Sequence, residues 1–123
     1  MKLNLLGEHQ ATNAAAAATV GLTLGLSLAA IGASLESIRS LSKWRMELHE
    51  RADGLVVIND AYNANPDSMA AALETLAAIG RSSGRPTVAV LGEMRELGAT
   101  AADEHAAIGR LAAELGIDRL LVV

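Results

Sequence analysis

Apolar positions along the second half of the chain alternate between two rhythms. Val56-Val57-Ile58, Thr87 to Leu91 and Leu120 to Val123 are short runs rich in β-branched residues or leucine, as in buried strands. Between them, Met69, Leu73, Leu76 and Ile79 recur at helical spacing, with Ala72 on the same face. Ile108, Leu111, Ala112 and Leu115 repeat that pattern. Gly80 and Gly116 are the expected C-terminal caps, Arg81 to Pro86 a polar loop, and Thr100 with Asp103 resembles a capping box. Strand, helix, strand, helix, strand predicts an α/β fold with a parallel, Rossmann-like sheet and right-handed crossovers. Three strands would leave an apolar edge, so such a sheet is expected to continue beyond this sequence.

The first half reads differently. Lys2 to Leu6 suggests a short strand, and the alanine run from Gln10 to Leu22 a helix. Gly21 and Gly25 end or loosen that helix, and Ser27 can cap a second one running through Ile31 and Leu35 to Ile38. From Trp44 to His49 charged and apolar residues alternate, as in a half-buried strand that puts Arg45 and Glu47 on one face. Arg51-Ala52-Asp53-Gly54 is a turn signal. It marks the expected domain boundary, with residues 1–52 a mostly helical tail and 53–123 the sheet domain.

Composition narrows the options. Hydrophobic residues make up 51% of the 123, yet aromatics only 2%, so the core must rest on Ala, Leu, Val and Ile. A net charge of −4 without a basic cluster argues against a nucleic-acid partner. Cysteine is absent, which excludes disulfides and thiolate chemistry and is compatible with a reducing, cytoplasmic setting. His9, His49 and His105 lack metal-ligand spacing, so no metal site is expected. Ala11 to Leu35 carries no charge, but its Ala, Gly, Ser and Thr content and its unflanked ends argue against a membrane span.

The stretch with the most chemistry runs from Val56 to Met69. A strand ends at the acid Asp60, a loop holds Tyr62, Asn63 and Asn65, and a helix starts at Pro66 with Asn65 as N-cap. In open α/β sheets such loops lie where ligands bind. A carboxylate there can accept from ribose hydroxyls, and a helix N-terminus favours an anion. The same elements also make a well-capped turn with no ligand, and Asp67 in the first turn would repel a phosphate.

Three motifs resemble the Mur ligases, the amide-forming enzymes of peptidoglycan precursor synthesis. Gly7-Glu8-His9-Gln10-Ala11-Thr12-Asn13-Ala14-Ala15-Ala16-Ala17 is similar to the family's G-x-H-N-x-x-N-x-x-A-A, with Gln10 where Asn is commoner. Asp60-Ala61-Tyr62-Asn63-Ala64-Asn65-Pro66-Asp67-Ser68-Met69 and Leu91-Gly92-Glu93-Met94-Arg95-Glu96-Leu97-Gly98, followed by His105, resemble the branch that adds a D-alanyl-D-alanine unit. The resemblance implies a three-domain enzyme. Residues 1–52 would close its central ATP-binding domain, and 53–123 would open its C-terminal domain. The implied partners are UDP-N-acetylmuramoyl-tripeptide and D-alanyl-D-alanine, with ATP and Mg²⁺. By position, Asn13 would contact adenine, Arg45 the ribose or phosphates, and Asp60 the ribose hydroxyls. Tyr62, Asn63 and Asn65 would line the substrate cleft. His9 is either a group that fixes its loop or an ordinary turn histidine. Glu93 and Glu96 are structural or substrate-facing, and His105 is expected to be solvated or locally paired.

No G-x-x-x-x-G-K-[ST] occurs, and the only lysines are Lys2 and Lys43. Phosphoryl transfer needs a phosphate-cradling loop, a lysine and metal ligands, which the resemblance puts upstream. This chain alone is therefore not expected to transfer phosphate. The alternative is a standalone, non-catalytic α/β module that binds a nucleotide or a partner.

Overall fold

The computed structural model describes residues 2–38 and 43–123. The chain divides into two compact units, Met1–Asp60 and Ala61–Val123.

In the first unit, helix α1 (His9–Thr23) is followed by α2 (Leu28–Ser37). The alanine run supplies intrinsic helicity, and Gly25, at φ +82°, takes the left-handed conformation just past the end of α1. Ser27 caps α2, its hydroxyl accepting from the Ala30 N–H at 3.2 Å. The two helices approach at Gly21, where an added methyl would lie 3.0 Å from the Ile31 Cδ1. Lys2 to Leu6, expected as a strand, forms none. The Lys2 N–H and the Asn4 side chain instead donate to Glu36 at the far end of α2. Strands β1 (Glu47–Glu50) and β2 (Val56–Asn59) form an antiparallel hairpin with Leu48 opposite Ile58.

Arg51–Gly54 is the turn of that hairpin. It is closed by Arg51 N–H to Leu55 O at 2.9 Å and by Gly54 at φ +87°. Val56–Asn59 therefore pairs with its neighbour in sequence rather than in the parallel ladder that the strand–helix alternation predicts. A tight turn brings β1 alongside β2 with only a short closure to make.

The second unit is built from α3 (Pro66–Ser83), β3 (Val88–Leu91), α4 (Ala101–Glu114) and β4 (Arg119–Val122). β3 and β4 pair in parallel through α4, with Ala89 opposite Leu120. Leu73, Ala89, Met94, Ile108 and Ala112 form the core, with Met69, Leu76, Leu111 and Leu115 packed around it. Val88, Val90 and Leu121, on the other face of the sheet, are exposed. Gly80 does not end α3. The helix runs on to Ser83 and is capped by Gly84 in the left-handed conformation. Gly80 has a different use, since a methyl there would run into Thr87 Cγ2. Thr100 is not a capping box either. Its hydroxyl donates back to Leu97 O at 3.0 Å, and a 3-10 turn, Gly98–Thr100, leads into α4.

Candidate functional site

The carboxylate that ends β2 is engaged at once. Asp60 Oδ1 accepts from the Met46 N–H at 3.0 Å. Met46 (φ +48°) and Trp44 (φ +62°) both hold left-handed backbone, uncommon for residues with a Cβ. Such conformations persist where the surroundings fix them, and Asp60 supplies one such restraint. Asp60 thus restrains the turn that carries Arg45, the residue before Met46. Arg45 is exposed and Asp60 half-buried. No local signal in the sequence marks the Met46 contact, because a backbone N–H carries no side-chain signature.

Asn65 is the N-cap of α3. Its side-chain oxygen accepts from the Ser68 N–H at 2.8 Å, and the Ser68 hydroxyl accepts from the Asn65 N–H at 3.1 Å. With Pro66 in the first turn, this is a reciprocal capping box. Asn65, Pro66 and Ser68 therefore shape the helix entrance, which accounts physically for three residues of the central motif. Tyr62 and Asn63, in the loop before it, are exposed.

The first motif builds the start of α1. Gly7, at φ +96°, turns the chain so that its carbonyl accepts from the Gln10 N–H at 3.1 Å. Gln10 is buried and links two motif residues. Its oxygen accepts from the Asn13 amide at 3.2 Å, and its own amide donates to His9 Nε2 at 3.0 Å. His9 is thus tied through Gln10 to the exposed Asn13.

In the third motif, the Met94 N–H donates to His105 Nε2 at 3.0 Å, and His105 Nδ1 lies 2.7 Å from Ala101 O. His105 is locally paired, as expected. Glu93 and Arg95 form an exposed ion pair at 3.2 Å, which at a surface contributes little. At the opposite, amino end of the same strands, Thr87 donates to Asp118 Oδ2 from both its N–H (2.7 Å) and its hydroxyl (3.0 Å). These bonds hold the Asp118 carboxyl below its ordinary range, the backbone one contributing most. A cleft of about 190 Å³ opens there, lined by Gly80, Arg81, Arg85, Thr87 and Asp118. It lies at the wrong end of the strands for the usual ligand crevice.

Among the described residues, no three His, Asp or Glu side chains are grouped to hold a metal ion. No helix among them is long and apolar enough to cross a membrane.

Comparison with known proteins bears on all three motifs. The UDP-N-acetylmuramoyl-tripeptide–D-alanyl-D-alanine ligase of Mycobacterium tuberculosis is 49% identical over 125 residues, covering 100% of this chain and 24% of the relative. The ligase of the same name from Escherichia coli is 37% identical, covering 98% of the chain and 26% of the relative. The chain thus spans about a quarter of the length of the curated relatives it matches. Among solved structures, MurF from Acinetobacter baumannii superposes with a TM-score of 0.82 at 37% identity, covering 94% of this chain and 24% of its own. MurF ligase from Thermotoga maritima in complex with ADP gives 0.77 at 27% identity, covering 96% and 25%. Residues 44–123 match the family described as Mur ligase, glutamate ligase domain, a match that takes in β1 as well as β2. With that match over most of its length, the chain belongs to the Mur ligase family.

Proposed function

We propose that this chain is part of an ATP-dependent ligase that joins D-alanyl-D-alanine to UDP-N-acetylmuramoyl-tripeptide in the cytoplasm, for cell-wall synthesis. The observation that carries the reading is the 49% identity to a ligase of that name over the whole of this chain. The T. maritima relative in complex with ADP supports nucleotide use. The N-terminal residues would close the central ATP-binding domain and the remainder would open the C-terminal ligase domain. β1 would go with the latter, since the family match begins at residue 44.

In this reading ATP phosphorylates the tripeptide carboxylate, and the dipeptide amine attacks the acyl phosphate, releasing phosphate and forming an amide. Asp60 keeps Oδ1 on the Met46 N–H and offers Oδ2 to ribose hydroxyls. Arg45, on the turn that Asp60 holds, would meet the ribose or phosphates, and Asn13, oriented by Gln10, the adenine. Tyr62 and Asn63 would face substrate, with Asn65 placing them by capping α3. Exclusion of water when the ligand loops close would protect the acyl phosphate from hydrolysis. The phosphate loop, and the ligands for Mg²⁺, would come from parts of the relatives that this chain does not span.

The test is phosphate release by the complete ligase, dependent on both the UDP-linked tripeptide and the dipeptide. Asp60→Ala there should lower kcat/KM for ATP by about 100-fold, as loss of an orienting contact can, with little change in Tm. Unchanged kcat/KM for ATP would overturn the role of Asp60. Absence of dipeptide-dependent phosphate release in the parent would overturn the reaction.

A further inference from the structure

Gln10, in the first turn of α1, is buried at 6% exposure, and both ends of its amide are used. Its oxygen takes an Asn13 Nδ2 hydrogen at 3.2 Å. Its nitrogen, which has only hydrogens to offer, then faces His9 Nε2 at 3.0 Å, so the ring must present a lone pair there. The three side chains form a chain of donors with one direction, from Asn13 to Gln10 to His9. That direction decides what Asn13 shows to solvent. With one Nδ2 hydrogen on Gln10, the exposed Asn13 keeps its second hydrogen and its Oδ1, which accepts no hydrogen bond from the described residues. Were the Gln10 amide turned over, it would consume Asn13 Oδ1 and leave only hydrogens facing outward. Burial keeps the direction single, because a buried amide that lets go of one partner finds no water in its place.

We propose that Gln10 is a positioning residue that sets the nucleobase preference of the ligase. By taking one Asn13 hydrogen it turns Asn13 Oδ1 outward. There Oδ1 can accept from the exocyclic amine of adenine, while the second Asn13 hydrogen can donate to the neighbouring ring nitrogen. Guanine carries a carbonyl oxygen in place of that amine, and it would meet Oδ1 lone pair to lone pair. The base contact rests on the reading above, in which Asn13 meets the adenine. The donor chain does not. Because the chain ends on His9 Nε2, the tautomer of that ring reports its direction.

Two measurements test this. In the 123-residue chain, imidazole ¹⁵N shifts taken with the ring neutral should show a bare Nε2 on His9. One Asn13 Nδ2 hydrogen should be shifted downfield by its bond to Gln10. Gln10→Met, similar in length but without the amide, should lose that shift. Gln10→Glu keeps an oxygen for Asn13 but has no hydrogen for His9, so the Asn13 shift should stay while Nε2 becomes protonated. Its carboxylate lies in the first turn of a helix, where negative charge is favourable. In the complete ligase, Gln10→Met should lower the ratio of kcat/KM for ATP to that for GTP about tenfold, within the range of one base-edge pair. The kcat at saturating ATP should stay within about twofold, as when only binding is lost, and Gln10→Glu should restore the ratio. A protonated Nε2 in the neutral parent ring, a Glu variant without the Asn13 shift, or an active Met variant with the parent's ATP preference each overturns the proposal. Should the Met variant fail to fold, the parent ring and the Glu variant still decide the direction. An Asn13→Ala ligase that keeps the parent's ATP preference would instead sink the adenine reading of Asn13, and the base preference with it, while the ring and amide results stand.

Discussion

The two units reach their helices by different routes. In Met1–Asp60, Ala14 and Ile31 are the buried apolar residues among those described, while Leu24 and Leu28 are 76% and 70% exposed. In Ala61–Val123, Leu73, Ala77, Ala89, Met94, Ile108 and Ala112 are all buried. α1 is helical because alanine favours helix, and alanine has little surface to bury. α3 and α4 are helical because they pack, on each other and on the inner face of β3–β4. Local propensity can specify a helix without giving its unit an interior. The second unit is therefore expected to be the more stable of the two.

Truncation at the densest point should separate them most. Leu73→Ala should destabilise the second unit by about 2–5 kcal/mol, whereas Ile31→Ala should cost the first unit ~2 kcal/mol or less, because less packs around it. Amide exchange resolved by helix reads each unit separately, and the single Trp44 gives a fluorescence signal from the first alone. Equal losses would mean that the first unit is better packed than its exposed leucines indicate.

Gly80→Ala should cost about 1–3 kcal/mol by overpacking. The Thr87 side chain cannot swing aside from the new methyl without giving up its hydroxyl's bonds to Asp118. Denaturant unfolding of the second unit checks this, and an unchanged midpoint would show that Thr87 yields at no cost. Asn65→Ala should cost about 1 kcal/mol by removing a cap. It should fray the start of α3, seen as faster exchange of the Ser68 amide, and leave α1 untouched.

The smallest effect concerns acid. Asp118 is held below its ordinary value of 3.8, so its bonds to Thr87 stabilise the fold above that value and weaken as pH falls through the lowered one. Asp118→Asn should therefore flatten the second unit's loss of stability as pH falls below 3.8. Circular dichroism against pH reads this directly, and an acid limb as steep as the parent's would show that the carboxylate contributes nothing there.

Much was legible before any coordinates. The Ser27 cap, the Asn65-Pro66 entrance to α3, and the α4 face through Ile108 and Leu115 depend on residues close in sequence, whose side chains signal their own use. The three motifs were legible for the same reason. Gly80 was misread because a glycine late in a helical pattern looks like a cap. Only Thr87, brought near by the fold, shows that the missing side chain makes room for a neighbour. Strand pairing was another failure. Val56–Asn59 has the composition of a parallel strand, yet residues 51–54 let β1 reach it first.

The sequence by itself therefore determined the helices, the Ser27 and Asn65 caps, the order of elements after them and the family, all of which rest on short-range geometry and residue identity. Tertiary structure alone decided three contacts: Asp60 holding the Met46 N–H, His105 holding the Met94 N–H, and Thr87 filling the space over Gly80. The first two depend on backbone N–H groups, which every residue but proline possesses, and the third on an absent side chain. No residue type marks such partners in advance, so they become specific only once the fold has chosen which ones meet.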